Sequence, residues 1–146
     1  MGDVIHFPAE EPRSLALLAV GTVAEKPVRF FRPPALPDFP WVSWSDLLAA
    51  SGFPPAVRRE FEAKLRSEWG RNIRTASTNP GKTAVVPHWM AQGIVASAID
   101  TGHASRSLEV EYTVAGATAT NILTDGLDAA ALGVFFVDAM ARSNAR

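Results

Sequence analysis

The side chains in this 146-residue sequence with the clearest chemical capacity are cations gathered in one stretch. Between Pro54 and Lys82 stand Arg58, Arg59, Lys64, Arg66, Arg71, Arg74 and Lys82, against Glu60, Glu62 and Glu68, while the whole chain carries a formal charge of −1. A local cationic excess in a neutral chain points to a polyanion held on one face. The competing explanation is a helix laced by its own ion pairs. Glu60 and Lys64, Glu62 and Arg66, and Arg58 and Glu62 are four residues apart, where such pairs are worth a few tenths of a kcal/mol each. That explanation does not reach Arg59, nor Arg71, Arg74 and Lys82, which lie in or beside a stretch without acidic residues from Trp69 to Ala98. Several donors acting together are what grips a phosphate backbone, so the expected nucleic-acid contacts are Arg59, Arg66, Arg71, Arg74 and Lys82.

Other chemistries find no support. His6, His88 and His103 are far apart and in no metal-binding spacing, and there is no cysteine to supply a thiolate, a disulfide or a nucleophile. His88, next to Pro87, reads as a polar residue in the first turn of a helix. Patterns such as GxSxG, a phosphate-binding P-loop or a dinucleotide fingerprint are missing, and Glu60 and Glu62 face apart on a helix among cations. The expectation is a protein that is not an enzyme and uses no cofactor or metal. Trp41, Trp44, Trp69 and Trp89 could stack on bases or fill a core. Trp69 continues an apolar stripe and Trp44 shares a face with Leu47 and Leu48, so both read as core; Trp41 is the least committed.

The elements that must position these residues are legible from prolines and glycines. Asn79-Pro80-Gly81-Lys82 has the form of a type II turn, with Gly81 at positive φ, and joins a strand within Asn72 to Thr78 to a buried strand at Thr83 to Val86. Upstream, Ser43 with Asp46 three places on resembles a capping box, opening a short helix that Gly52 stops. Pro54-Pro55 then start a second helix, running to about Trp69, whose buried stripe is Val57, Phe61, Leu65 and Trp69. Downstream, Pro87 opens a third helix, apolar nearly all round and expected to be central, ending at Thr101-Gly102.

The first strands are expected from Leu15 to Val20 and from Val28 to Phe31, turned by Ala24-Glu25-Lys26-Pro27. The proline-rich segment from Phe31 to Pro40 is an extended loop, and Trp41-Val42 a short strand. Residues 108–114 alternate like a strand, but Leu108, Tyr112, Ala115, Ala119 and Ile122 keep helical spacing over a longer window, so 106–123 reads as helix. Asp128 caps a last helix with Leu132, Phe135, Phe136, Ala139 and Met140 on its apolar face. The fold class is α+β: small antiparallel hairpins with a short helix pair and a buried apolar helix, followed by C-terminal helices. Residues 1–14 read as a mobile arm and 15–146 as one domain with a helical extension from 103. No basic region precedes an apolar run at the start, and Leu15 to Val20 is too short to span a bilayer, so a cytoplasmic protein without membrane contact is expected.

From Val28 to Gly102 the sequence resembles the N-terminal Bro domain of phage antirepressors and related viral and bacterial proteins. The likeness rests on Val28-Arg29-Phe30-Phe31 as opening strand, on Pro40-Trp41-Val42 leading into Ser45-Asp46-Leu47-Leu48 with its stop at Gly52, and then on the basic helix, the Pro80-Gly81 hairpin and the final apolar helix. The resemblance implies a DNA-binding or regulatory module, hence a phage-type transcriptional regulator. The segment 103–146 would complete the core or make a homodimer contact through its helices. The alternative is a non-enzymatic protein-interaction module that modulates another regulator without touching nucleic acid.

Overall fold

Five antiparallel strands form one sheet in the computed structural model, which describes residues 14–78 and 81–144. The strands are β1 (Leu17–Val23), β2 (Lys26–Phe31), β3 (Trp41–Ser43), β4 (Arg74–Ser77) and β5 (Lys82–Val86), in the order β1-β2-β3-β5-β4. The helices are α1 (Trp44–Ala50), α2 (Pro55–Ser67), α3 (His88–Asp100), α4 (Ser107–Leu123) and α5 (Ala129–Asn144), with a 3-10 turn at Gly70–Asn72. The α+β class with C-terminal helices is therefore as expected. The short strand expected at Trp41-Val42 is β3; what the sequence does not announce is its place, joining two separate hairpins by pairing Val42 with both Phe30 and Val86.

Each hairpin is set by its turn. Val23 pairs with Lys26, leaving Ala24 and Glu25 as a two-residue loop at φ 51° and 66°, the mirror-image turn that matches the twist of the strands. Neither residue is glycine, and the Ala24 N–H is held from outside the hairpin, donating to Glu111 Oε1 on α4 at 2.7 Å. At the other hairpin Gly81 has φ 86°, as expected, and its carbonyl accepts the Thr78 N–H at 2.7 Å; Asn79 and Pro80 at the tip lie outside the described residues. The strand expected within Asn72 to Thr78 is shorter than its composition suggests, because Asn72 is taken into the 3-10 turn.

Register decides which strand residues share a face. Phe30, Val42 and Val86 face the helices and join Trp44, Leu47, Leu48, Ile94 and Tyr112 in the principal core. Phe31, Trp41, Ala76 and Val85 occupy the other face as a smaller buried cluster, closed by Leu15. The sheet curls enough for the residues ahead of β1 to reach its far edge: the Leu15 N–H points to Thr75 O at 3.4 Å and the Ser77 N–H donates to Ser14 Oγ at 2.6 Å. Ser14 is thus anchored; the rest of the expected arm lies outside the described residues.

The helix boundaries follow their caps. Ser43 Oγ accepts the Asp46 N–H, and Gly52 follows α1 at φ 83°. The expected capping box is only half formed, because the Asp46 carboxylate turns to β2. There it accepts from Arg29 Nε at 2.7 Å, Arg29 Nη2 at 2.9 Å and the Arg29 backbone N–H at 3.0 Å. The guanidinium is held charged, its pKa raised chiefly by this hydrogen bonding. Helix α3 is buried on one side by Met90, Ala91, Ile94, Val95 and Ala98, but Gln92, Gly93 and Ala96 are exposed, so it is less enclosed than its composition implies. The C-terminal segment divides in two. Leu108, Tyr112, Ala115 and Ala119 of α4 belong to the principal core, whereas α5, capped as expected by Asp128 Oδ1 on the Ala131 N–H, buries only Ala139.

Candidate nucleic-acid interface

Helix α2 carries two of the five candidates, Arg59 and Arg66. Pro55 stands at its first position, where a missing N–H costs nothing, and Lys64 and Arg66 occupy its last turn, where cations complement the helix dipole. Its apolar stripe faces the core as expected, yet only Leu65 is fully buried. Val57, Phe61 and Trp69 are half-buried against the core, so Phe61 is not the enclosed centre that its spacing suggests. It meets Phe53 with ring centroids 5.0 Å apart and the edge of Trp44 at 6.4 Å.

At 100° per residue, the side of α2 opposite Phe61 holds Arg59, Ala63 and Arg66 at relative positions 0, 4 and 7, all exposed. The two arginines stand about 10 Å apart along the axis, with a single methyl group between them. The ion pairs expected on this helix are not formed: among the described residues no carboxylate pairs with Arg58, Arg59, Lys64 or Arg66, whereas Arg29 does pair with Asp46, at 2.7 Å. Spacing permits such pairs; solvation of long side chains competes with them on equal terms.

The remaining candidates do not all join this row. Arg71 is exposed in the 3-10 turn just beyond α2, and Arg74, at the start of β4, donates Nη1–H to Ile73 O at 2.9 Å. Arg74 pairs with Val85 and so lies on the face of the smaller cluster. Lys82 pairs with Ser77 and lies on the opposite face, three register steps away. Arg59 and Arg66 are aligned, Arg71 and Arg74 continue along the chain from them, and Lys82 stands apart at the hairpin end.

The aromatic residues also sort differently from expectation. Trp41, the least committed in sequence, is buried and donates Nε1–H to Asp38 Oδ2 at 3.3 Å; Trp69 and Trp89 are the half-buried ones. His88 does open α3, but half-buried: its Nδ1 lies 3.0 Å from the Tyr112 hydroxyl, with the two rings stacked and Phe39 5.0 Å away. Burial lowers the His88 pKa from 6.5, against the opposing charge of Asp38, and burial raises that of Tyr112 above the usual phenol value. This neutral pair ties α3 to α4. No helix among the described residues is long and apolar enough to cross a membrane. Neither family models nor curated proteins nor solved structures give a match to this chain.

Proposed function

We propose that the protein is a cytoplasmic, non-enzymatic DNA-binding transcriptional regulator of phage type that lays the outer face of α2 against the phosphate backbone. The observation that carries this reading is the exposed row Arg59, Ala63, Arg66, two guanidinium groups unpaired among the described residues with a small residue between them, so that the helix can approach closely. Arg71 extends the contact beyond the helix, and Arg74 and Lys82, on opposite faces of the β4–β5 hairpin, make separate, peripheral ones. The regulatory part of the reading rests on the sequence resemblance of Val28 to Gly102 to the Bro domain.

The test is a binding titration with random and genomic duplexes at two salt concentrations. The parent should bind with an affinity that falls steeply as salt rises. Arg59→Ala/Arg66→Ala should weaken binding to all sequences alike and flatten the plot of log K against log salt by about 0.9 per lost phosphate contact. Failure of the parent to bind any duplex at low salt would sink the proposal. The second reading, a protein-interaction module or a homodimer built through the C-terminal helices, is favoured by α5, where Val134 and Val137 are more than 60% exposed. An affinity for protein that is insensitive to salt, with no DNA binding, is its signature.

A further inference from the structure

Between α2 and α3 lies a cavity of about 300 Å³ that the DNA reading does not use. Its walls are Trp44, Phe61, Trp69, Trp89, Met90 and Ile94. Trp44 is fixed at its base, 2% exposed and edge-on to both Phe61 and Trp69, with interplanar angles of 80° and 77°. On α3 the lining residues Trp89, Gly93 and Ser97 are four apart, one stripe turned to the cavity, and the middle member of that stripe has no side chain. A Cβ built at Gly93 meets nothing within 4 Å, and the residue has no positive φ that would call for glycine. Glycine inside a helix is the costliest ordinary choice, and neither packing nor backbone conformation explains it here. What it does is keep the space between Trp89 and Ser97 open.

We propose that this cavity is a binding site for a small, neutral, flat aromatic molecule of about the size of an indole. Flatness follows from walls made of ring faces and edges, where offset and edge-to-face contacts are favourable. Neutrality follows from the lining, which holds no titratable side chain and, apart from the indole N–H groups, only the Ser97 hydroxyl as a polar group. The volume is at the lower end for ligand sites, which limits the guest to one or two fused rings. Since Phe61 belongs to α2 and Trp69 follows it, the guest would sit directly behind the arginine row.

Indole itself is the probe, titrated into the full chain without DNA while the four tryptophan indole N–H signals are followed by NMR. The expected result is saturable movement of the Trp44, Trp69 and Trp89 signals with a Kd below about 1 mM, while Trp41, on the other face of the sheet, stays still. Gly93→Leu should weaken indole binding at least tenfold with the melting temperature kept or raised. Gly93→Ala, whose added methyl group has free space, is the milder variant and should weaken binding two- to fivefold. Movement of all four signals together without saturation, or equal affinity in parent and Gly93→Leu, would overturn the site. Tighter binding of choline than of indole would overturn the neutral guest in favour of a cation held by ring faces. Because the readout needs no DNA, failure of the DNA reading leaves this result standing, and the reverse.

Discussion

Asp46 illustrates how one side chain can serve two elements. In sequence it looks like the acidic half of a capping box; in the folded chain its carboxylate is drawn to Arg29, where it receives three hydrogen bonds, one of them from the backbone. No local spacing reveals that, because the partner lies 17 residues upstream, on β2. With the pair largely shielded, Asp46→Ala leaves a guanidinium and a backbone N–H without their acceptor, and should cost about 1.5–3 kcal/mol by chemical denaturation. His88 adds a pH dependence. Its folded pKa lies below the unfolded 6.5, so on acidification the unfolded chain takes up a proton first. Stability should therefore be full above pH 6.5, fall as pH drops from there towards the folded value, and lose this slope in His88→Gln; denaturation midpoints measured between pH 7 and 5 decide it. Gly81 was legible from Pro80 alone, and with φ at 86° Gly81→Val should cost about 1–2 kcal/mol in a thermal melt.

Periodicity tells which side of an element faces inward; it does not tell how deep that side goes. The stripe Val57, Phe61, Leu65 was readable, but α2 lies at the margin of the core and only Leu65 is enclosed. Phe61→Ala should then cost about 2 kcal/mol, less than the roughly 3–5 of an enclosed phenylalanine, and leave a cooperative transition. For the same reason the aromatic cavity could not be read from the sequence: its walls come from three helices, and Gly93 is informative only once Trp69 and Phe61 are opposite it. Helix α4, by contrast, was legible because five apolar residues at helical spacing outlast a short alternating run. Its fit to β1 is tight where the sequence gives no hint. A methyl group on Gly21 would lie 2.7 Å from the Cβ of Ala115. Gly21→Ala should destabilise by about 1–3 kcal/mol, and combining it with Ala115→Gly should recover more than about 0.5 kcal/mol beyond additivity in a double-mutant cycle.

On the scale of the whole molecule, the principal core runs from Val23 to Ala119, and α5 contributes almost nothing to it. Val134→Lys and Val137→Lys should each change stability by less than about 0.5 kcal/mol, because both side chains already face solvent. If these residues join two copies, the same substitutions will lower the mass observed by light scattering. The five-strand sheet was only half readable: two hairpins show in their turns, but their union needs β3 and pairings between distant segments, which no local pattern encodes. The contact of Ala24 with Glu111 spans 87 residues, and its neighbour, the Gly21–Ala115 seam, spans slightly more. During synthesis, then, the first strand leaves the ribosome on the order of 10 s before the helix that seals it. Until then an uncharged strand edge and one side of Phe30 have no cover, so a released fragment ending near residue 105 should be captured by chaperones, and one that ends past residue 123 and so includes α4 should not. A fragment cut at the bounds of the Bro resemblance, Val28 to Gly102, would lack both β1 and α4 and leave that side of Phe30 permanently without cover.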